Sequence, residues 1–71
     1  MKYIVEPKLN QILKERNMTQ LELAELTGIP QASISRFNKN KQHMAVHLVL
    51  ISKALGVSIE DLFEIKEGDA E

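Results

Sequence analysis

The sequence contains no cysteine and few aromatic residues. Without cysteine, the chain can form neither a disulfide framework nor a thiolate metal site or nucleophile, and a reducing compartment suits it best. Its longest apolar run, residues 45–51 with His47 inside it, is far too short to cross a membrane. The N-terminal segment also lacks an apolar stretch of signal-peptide length. We therefore expect a cytoplasmic protein that does not contact a membrane.

Acidic residues are missing from the middle of the chain, between Glu25 and Glu60. The basic residues of this stretch are Arg36, Lys39, Lys41 and Lys53. The stretch therefore carries +4 and the rest of the chain −5, which together give the net charge of −1. A basic centre within an acidic periphery is typical of a local surface that faces phosphate groups. Chance clustering of charges would give the same pattern.

The residues that enzymes and metal sites require are not arranged for such roles. His43 and His47 are four residues apart and could share a helical face, but neither cysteine nor an acid occurs from Leu26 to Ile59 to supply a third ligand. The sequence also lacks a nucleophile with a base, a phosphate-binding loop and a convergent carboxylate pair. We therefore predict no enzymatic activity, no metal or other cofactor, and no small-molecule ligand.

Hydrophobic periodicity and capping residues predict an all-α domain with five helices. At 71 residues the chain has room for a single domain, residues 1–71. Pro7 is predicted as the first residue of the first helix, and Thr19 and Glu22 form a capping box that begins the second. Asn17 can take the left-handed position at the end of the first helix, and Gly28 ends the second helix with a positive φ. The five predicted helical segments are KLNQILKER, the residues after Thr19, QASISRFN, MAVHLVLISKALG and IEDLF, the last of them capped by Ser58.

The two ends of the chain show a different pattern. The segments KYIV and FEIK alternate apolar and polar residues with a period of two, so they could pair as short strands or fray. The last residues, 66–71, are predicted to form an acidic solvated tail. Neither end carries a candidate functional residue.

The segment TQLELAELTGIPQASISRF has the parts of a helix-turn-helix, with a turn that contains glycine between two helices. It resembles the Cro/C1-type, phage-repressor-like helix-turn-helix family, with the motif at 19–38. The residues that carry the resemblance are Thr19, Gln20, Leu23, Ala24, Gly28, Ile34, Ser35 and the segment ALGVSIEDLF. Two positions depart from the family: Asn38 replaces the usual glutamate, and Asn40 the usual glycine, although asparagine also tolerates a left-handed conformation.

The resemblance implies a transcriptional regulator, expected to be a repressor, that binds double-stranded DNA with the helix at about 30–38 in the major groove. The residues implied to contact bases are Gln31, Ala32, Ser35 and Arg36, whose side chains suit adenine, thymine methyl and guanine edges. The residues implied to contact phosphates are Thr19, Gln20, Ser33, Lys39, Asn40 and Lys41. Each could instead be an ordinary surface residue, and Thr19, Ser33 and Asn40 have capping or turn roles that would suffice.

The fourth helix has apolar residues around nearly its whole circumference, more than one small core should absorb. We predict that a second copy covers part of this surface in a homodimer, with Val46 and Leu50 at the interface; the alternative is a central helix that the other four helices surround. A second function fits the same scaffold. The surplus apolar Leu21 and the negative net charge would suit a protein-interaction module, antitoxin-like or coactivator-like, that meets another protein through the fourth helix. The acid-free stretch favours DNA instead.

Overall fold

The computed structural model describes residues 2–68, which form a mostly helical fold with one small sheet. Its elements in chain order are β1 (Lys2–Pro7), α1 (Leu9–Glu15), α2 (Gln20–Thr27), α3 (Gln31–Arg36), α4 (Ala45–Leu55), a 3-10 turn (Glu60–Leu62) and β2 (Phe63–Gly68). None of the helices in residues 2–68 has the length and apolar character needed to cross a bilayer.

The predicted five-helix count is wrong, because residues 2–68 contain four α-helices and the segment after Ser58 forms only a single 3-10 turn. Ser58 and Asp61 hold this turn by reciprocal hydrogen bonds. The Ser58 N–H donates to the Asp61 carboxylate and the Asp61 N–H donates to the Ser58 hydroxyl, each over 3.1 Å. The Ser58 backbone N–H, followed by the Ser58 side chain, lowers the pKa of Asp61.

The terminal segments pair as antiparallel strands, which confirms one of the two alternatives left open for them. The register places Lys2 opposite Gly68 and Pro7 opposite Phe63. Pro7 therefore ends β1 and is not the first residue of α1, which begins at Leu9. Residues 66–68 belong to β2 and not to a tail, and the other residues of the predicted tail, 69–71, lie outside the described residues.

The local signals that separate α1, α2 and α3 are present as predicted. Asn17 has a φ of 55° and Gly28 a φ of 80°, both in the left-handed region. The Thr19 hydroxyl accepts from the Glu22 N–H over 3.0 Å, and the Glu22 carboxylate accepts from the Thr19 N–H over 2.8 Å. The capping box satisfies backbone N–H groups at the start of α2. Gly28, at the other end of α2, fixes where the chain turns towards α3.

The core receives one fully buried side chain from each helix and one from the 3-10 turn. These side chains are Leu9, Leu23, Ile34, Ile51 and Leu62. The small Ala24 is also buried, so α2 can lie close to its neighbours. A core assembled from all five elements holds each helix against the others, and it fixes which face of α3 points outwards.

Gly28→Val should lower the free energy of unfolding by about 1–2 kcal/mol, the usual cost of a left-handed conformation for a residue with a Cβ atom. A Cβ atom at Gly28 would meet nothing within 4 Å, so the cost comes from the backbone alone. Denaturant unfolding measures the change. Gly28→Asn is the matched control and should lose less, because asparagine tolerates this conformation. Equal stability of the Gly28→Val variant and the unaltered protein would contradict the assigned turn.

Candidate nucleic-acid interface

Helix α3 is oriented by apolar residues on one side only. Ile34 and Phe37 are buried, and the Ser33 side chain is partly buried beside them. The four candidates for base contacts, Gln31, Ala32, Ser35 and Arg36, are all exposed. At about 100° per residue they occupy a single arc of roughly 140° on the side opposite the core. The predicted base-contacting residues therefore share one solvent-facing surface, and Ser33 lies at its margin.

The exposed arc of α3 carries no negative charge. The first turn of α3 contains no acidic residue, and its last turn contains Arg36. The Pro30 carbonyl accepts hydrogen bonds from the Ser33 and Ile34 N–H groups and so begins the helix. The surface consists of an amide, a methyl, a hydroxyl and a guanidinium group, which match the donors, acceptors and methyl groups on base edges.

The N-terminus of α2 holds the other predicted phosphate-contacting residues, Thr19 and Gln20. Thr19 is exposed, and its hydroxyl accepts within the capping box, so its O–H group is left to donate. The partly buried Gln20 side chain donates from Nε2 to Asn10 Oδ1 over 3.1 Å. Each amide nitrogen has two donors, so this contact leaves one N–H of Gln20 for a phosphate oxygen.

A basic loop, defined as residues 38–41, follows α3. Its residues Lys39, Asn40 and Lys41 are exposed. The Lys39 and Asn40 N–H groups both donate to the Arg36 carbonyl, which keeps the loop against the end of α3. Asn40 does not have the left-handed conformation expected for it, since Asn17 is the only non-glycine residue with positive φ in residues 2–68. The backbone after Arg36 keeps negative φ angles, so position 40 does not need glycine.

Asn38 anchors the basic loop to the start of α1, a role that no local pattern in the sequence predicts. Its Oδ1 accepts from the Asn10 N–H over 3.2 Å and its Nδ2 donates to the Pro7 carbonyl over 3.4 Å. Because Asn10 also bonds Gln20, this network connects the basic loop, α1 and the start of α2. The asparagine therefore makes the connection at the position where the family usually has glutamate.

The His43 side chain packs beneath the basic loop and is partly buried. Its Nε2–H donates to the Phe37 carbonyl over 2.9 Å, and its ring centre lies 4.1 Å from the ring centre of Phe37. The ring centre of Phe63, from β2, lies 5.6 Å away. This aromatic contact ties the segment after α3 to the sheet. Within residues 2–68, no three histidine or acidic side chains are grouped so that they could hold a metal ion.

The predicted dimer-interface residues lie on another element, α4. The Val46 side chain is 52% exposed and that of Leu50 is 38% exposed, and Val49 between them is 44% exposed. Residues of α4 that face the core are Ile51, Ser52 and Leu55. The alternative, in which the other helices surround α4, is therefore wrong, because Val46, Val49 and Leu50 are exposed.

Comparison with protein families gives the class of the domain. The model of the Cro/C1-type helix-turn-helix DNA-binding domain matches residues 8–68. The chain belongs to this family. The match covers all four helices and β2, whereas β1 precedes it. A search of curated proteins gives no significant match. Membership in a DNA-binding family and the exposed face of α3 agree on the class of partner.

Asn38→Ala should lower the free energy of unfolding by about 1 kcal/mol, because two hydrogen bonds of the network disappear. It should also accelerate hydrogen exchange at the Asn10 amide, which would lose its acceptor. Denaturant unfolding and amide exchange by NMR measure the two effects. Asn40→Ala, an exposed residue of the same loop, is the control and should change neither. Unaltered exchange at Asn10 would show that Asn38 does not hold it.

Proposed function

We propose that the protein is a sequence-specific transcriptional regulator that inserts α3 into the major groove of double-stranded DNA. The observation that carries this proposal is the continuous exposed arc of Gln31, Ala32, Ser35 and Arg36, which contains no acid and adjoins the basic loop. Gln31 suits the N6 and N7 edge of adenine and Arg36 the O6 and N7 edge of guanine. The Ala32 methyl group suits contact with a thymine methyl group.

The phosphate contacts in this proposal flank the recognition helix on two sides. Thr19 and Gln20 donate from the N-terminus of α2, where the helix dipole favours an anion. Lys39, Asn40 and Lys41 reach the backbone from the basic loop, together with Ser33, which lines the same surface pocket as Asn40. The Asn38 network fixes the separation of the two groups, because it joins the loop to the residue that bonds Gln20.

The proposed mode of action is repression in the cytoplasm, by binding and not by catalysis. A protein that occupies the major groove at a promoter excludes polymerase from the same DNA, and no chemical step is needed. The absence of cysteine suits a reducing compartment.

The proposed active form is a homodimer that associates through α4. Val46, Val49 and Leu50 lie at i, i+3 and i+4, so they form one exposed apolar stripe. Such a stripe is self-complementary across a two-fold axis, since each apolar side chain meets another. A single short recognition helix makes few base contacts, and two joined copies double that number.

A protein-interaction module is the second candidate function, favoured by exposed apolar residues on α2. Leu21 is 51% exposed and Leu26 is 61% exposed. Neither residue belongs to the α3 arc. Retention of the protein on a nonspecific DNA column at low salt distinguishes the two functions, because only the basic surface of a DNA-binding protein would hold it there.

Arg36→Ala and Lys41→Ala form a matched pair for the DNA interface. Arg36→Ala should weaken binding to the selected site by about 1–3 kcal/mol and relax the preference at one base pair. Lys41→Ala should weaken specific and random DNA alike and reduce the slope of log affinity against log salt by about one unit. Sites selected from random DNA, followed by binding titrations over a salt series, measure both.

Two outcomes would reassign these residues. An Arg36→Ala variant that loses the same affinity on every sequence would place Arg36 on a phosphate. An unchanged salt slope in the Lys41→Ala variant would remove Lys41 from the interface.

Val46→Glu should abolish association through α4 and the cooperative occupation of the two half-sites of one inverted repeat. The helical circular-dichroism signal should stay, because the exposed side chain contributes little to the core. The selected sites for the unaltered protein should be inverted repeats with half-site centres ~10 bp apart, so that two recognition helices enter one side of the duplex. Selected sites without inverted symmetry would contradict the dimer. Unfolding of the variant would place Val46 in the core.

A further inference from the structure

The sheet has an exposed strand, β1, which precedes the residues matched by the family model. Its side chains Tyr3, Ile4 and Val5 are all about half exposed. A two-stranded sheet is marginal on its own, and each of its strands has one unpaired edge. The free edge of β1 therefore presents backbone groups that could pair with another strand.

The ladder with β2 assigns the backbone groups of β1 by parity. The Lys8 N–H donates to the Leu62 carbonyl over 2.9 Å, at the position that continues the register of the two strands. Hydrogen-bonded pairs alternate along an antiparallel ladder, so even-numbered residues of β1 bond β2. Odd-numbered residues, Tyr3 and Val5, direct their N–H and C=O groups to the free edge. Pro7, which has no N–H, has the same parity, as this assignment requires.

We propose that β1 pairs in antiparallel fashion with β1 of a second copy of this chain, with the two Ile4 residues facing each other at the two-fold axis. In this register Tyr3 lies opposite Val5 of the second copy, and both have outward-directed backbone groups. The pair of Tyr3 with Val5 occurs twice across the axis, and the two pairs together form four backbone hydrogen bonds. Each pair also places an aromatic side chain next to a β-branched one. Two two-stranded sheets become one sheet of four strands.

The charges on β1 are complementary in this register. Lys2 lies opposite Glu6 of the second copy, and the same pair repeats across the axis. Within its own chain Glu6 faces another acid, since the register places it directly opposite Glu64. Two carboxylates opposite each other repel. Lys2 of the second copy brings a positive charge to this position, so association removes an unfavourable feature of the single chain.

Other strand pairings satisfy fewer of these conditions. Moving the β1 register by two residues in one direction places Tyr3 opposite Pro7, which lacks a donor, and places Ile4 opposite Glu6. Moving it the other way places Lys2 opposite Ile4. Pairing through the free edge of β2 would bring together two strands that each carry net negative charge. The edge of β1 is electrically neutral in the proposed register. The outward-directed backbone groups of Tyr3 and Val5 are matched, and the Pro7 carbonyl already accepts a hydrogen bond from Asn38.

The Tyr3–Val5 part of this edge is separate from the exposed arc of α3 and from the apolar stripe of α4, while its Pro7 end adjoins the basic loop. The pairing of the strands does not itself depend on DNA binding. If both surfaces associate, each α4 dimer has two free β1 strands with which to bind further dimers. Such contacts would join dimers bound at neighbouring sites on DNA.

Proline substitutions at partner positions test the edge. Val5 and Ile65 are opposite each other, and the N–H groups of both point away from the ladder. Val5→Pro removes a donor from the β1 edge, and Ile65→Pro removes the matched donor from the β2 edge. Both substitutions leave the bonds between β1 and β2 intact. Each is combined with Val46→Glu, which removes association through α4, and circular dichroism checks the fold.

Sedimentation over a concentration series gives the result. We expect Val46→Glu alone to form a dimer, Val46→Glu with Ile65→Pro to remain one, and Val46→Glu with Val5→Pro to dissociate about tenfold more readily or to be monomeric. A monomeric Val46→Glu protein overturns the proposal while leaving the α4 dimer and DNA binding intact. Loss of the dimer in the Ile65→Pro variant alone, or persistence in both, also overturns it.

A charge exchange provides a second test that does not alter the backbone and decides the outcome if both proline variants dissociate. In the Val46→Glu background, Lys2→Glu and Glu6→Lys should each weaken self-association, because like charges then face each other. In a dimer of one copy of each variant, both contacts between positions 2 and 6 pair a glutamate with a lysine. An equimolar mixture should therefore associate more tightly than either variant alone. A mixture that associates no better than its components overturns the register.

Discussion

Burial of Ile34 and Phe37 is the constraint on which the proposed function depends. Helix α3 has six residues, too few for a stable helix in isolation, so its structure comes from packing. Two buried anchors three residues apart fix the rotation of the helix about its axis. That rotation alone places Gln31, Ala32, Ser35 and Arg36 on the solvent side. Any change that rotates α3 would replace this polar arc with part of the apolar face.

The position of the basic loop depends on longer contacts. Asn38 bonds groups that are 28 and 31 residues away in the sequence, and the aromatic contact of His43 reaches Phe63 in β2. Lys39 and Lys41 are therefore exposed on a loop whose backbone is fixed by the contacts of Asn38 and His43 with the rest of the domain. A held loop loses less conformational entropy when it meets a phosphate backbone, so its contacts contribute more of their energy to binding.

The difference between local and distant contacts explains how far the sequence could predict this protein. The Thr19–Glu22 cap, the left-handed Asn17 and Gly28, and the apolar positions of the helices are set within a few residues, and the structure has all of them. The prediction for Pro7 is wrong because the role of this residue depends on pairing with β2. The prediction of a fifth α-helix is wrong because Ser58 and Asp61 close only one turn. The roles of Asn38 and His43 depend on residues that no local pattern brings together.

The small number of basic residues in one chain explains why the proposed association would increase affinity for DNA. One chain offers few phosphate contacts, each of which releases about one counterion, so a single copy should bind DNA weakly at physiological salt. Association of copies through surfaces away from α3 makes the second contact intramolecular, with an effective concentration of the order of millimolar for short connections. The rest of the chain carries a net charge of −5, which disfavours orientations that place it against the duplex. In the proposed mode of binding, Arg36 and the basic loop therefore approach DNA first, and the proposed association supplies the affinity that one recognition helix lacks.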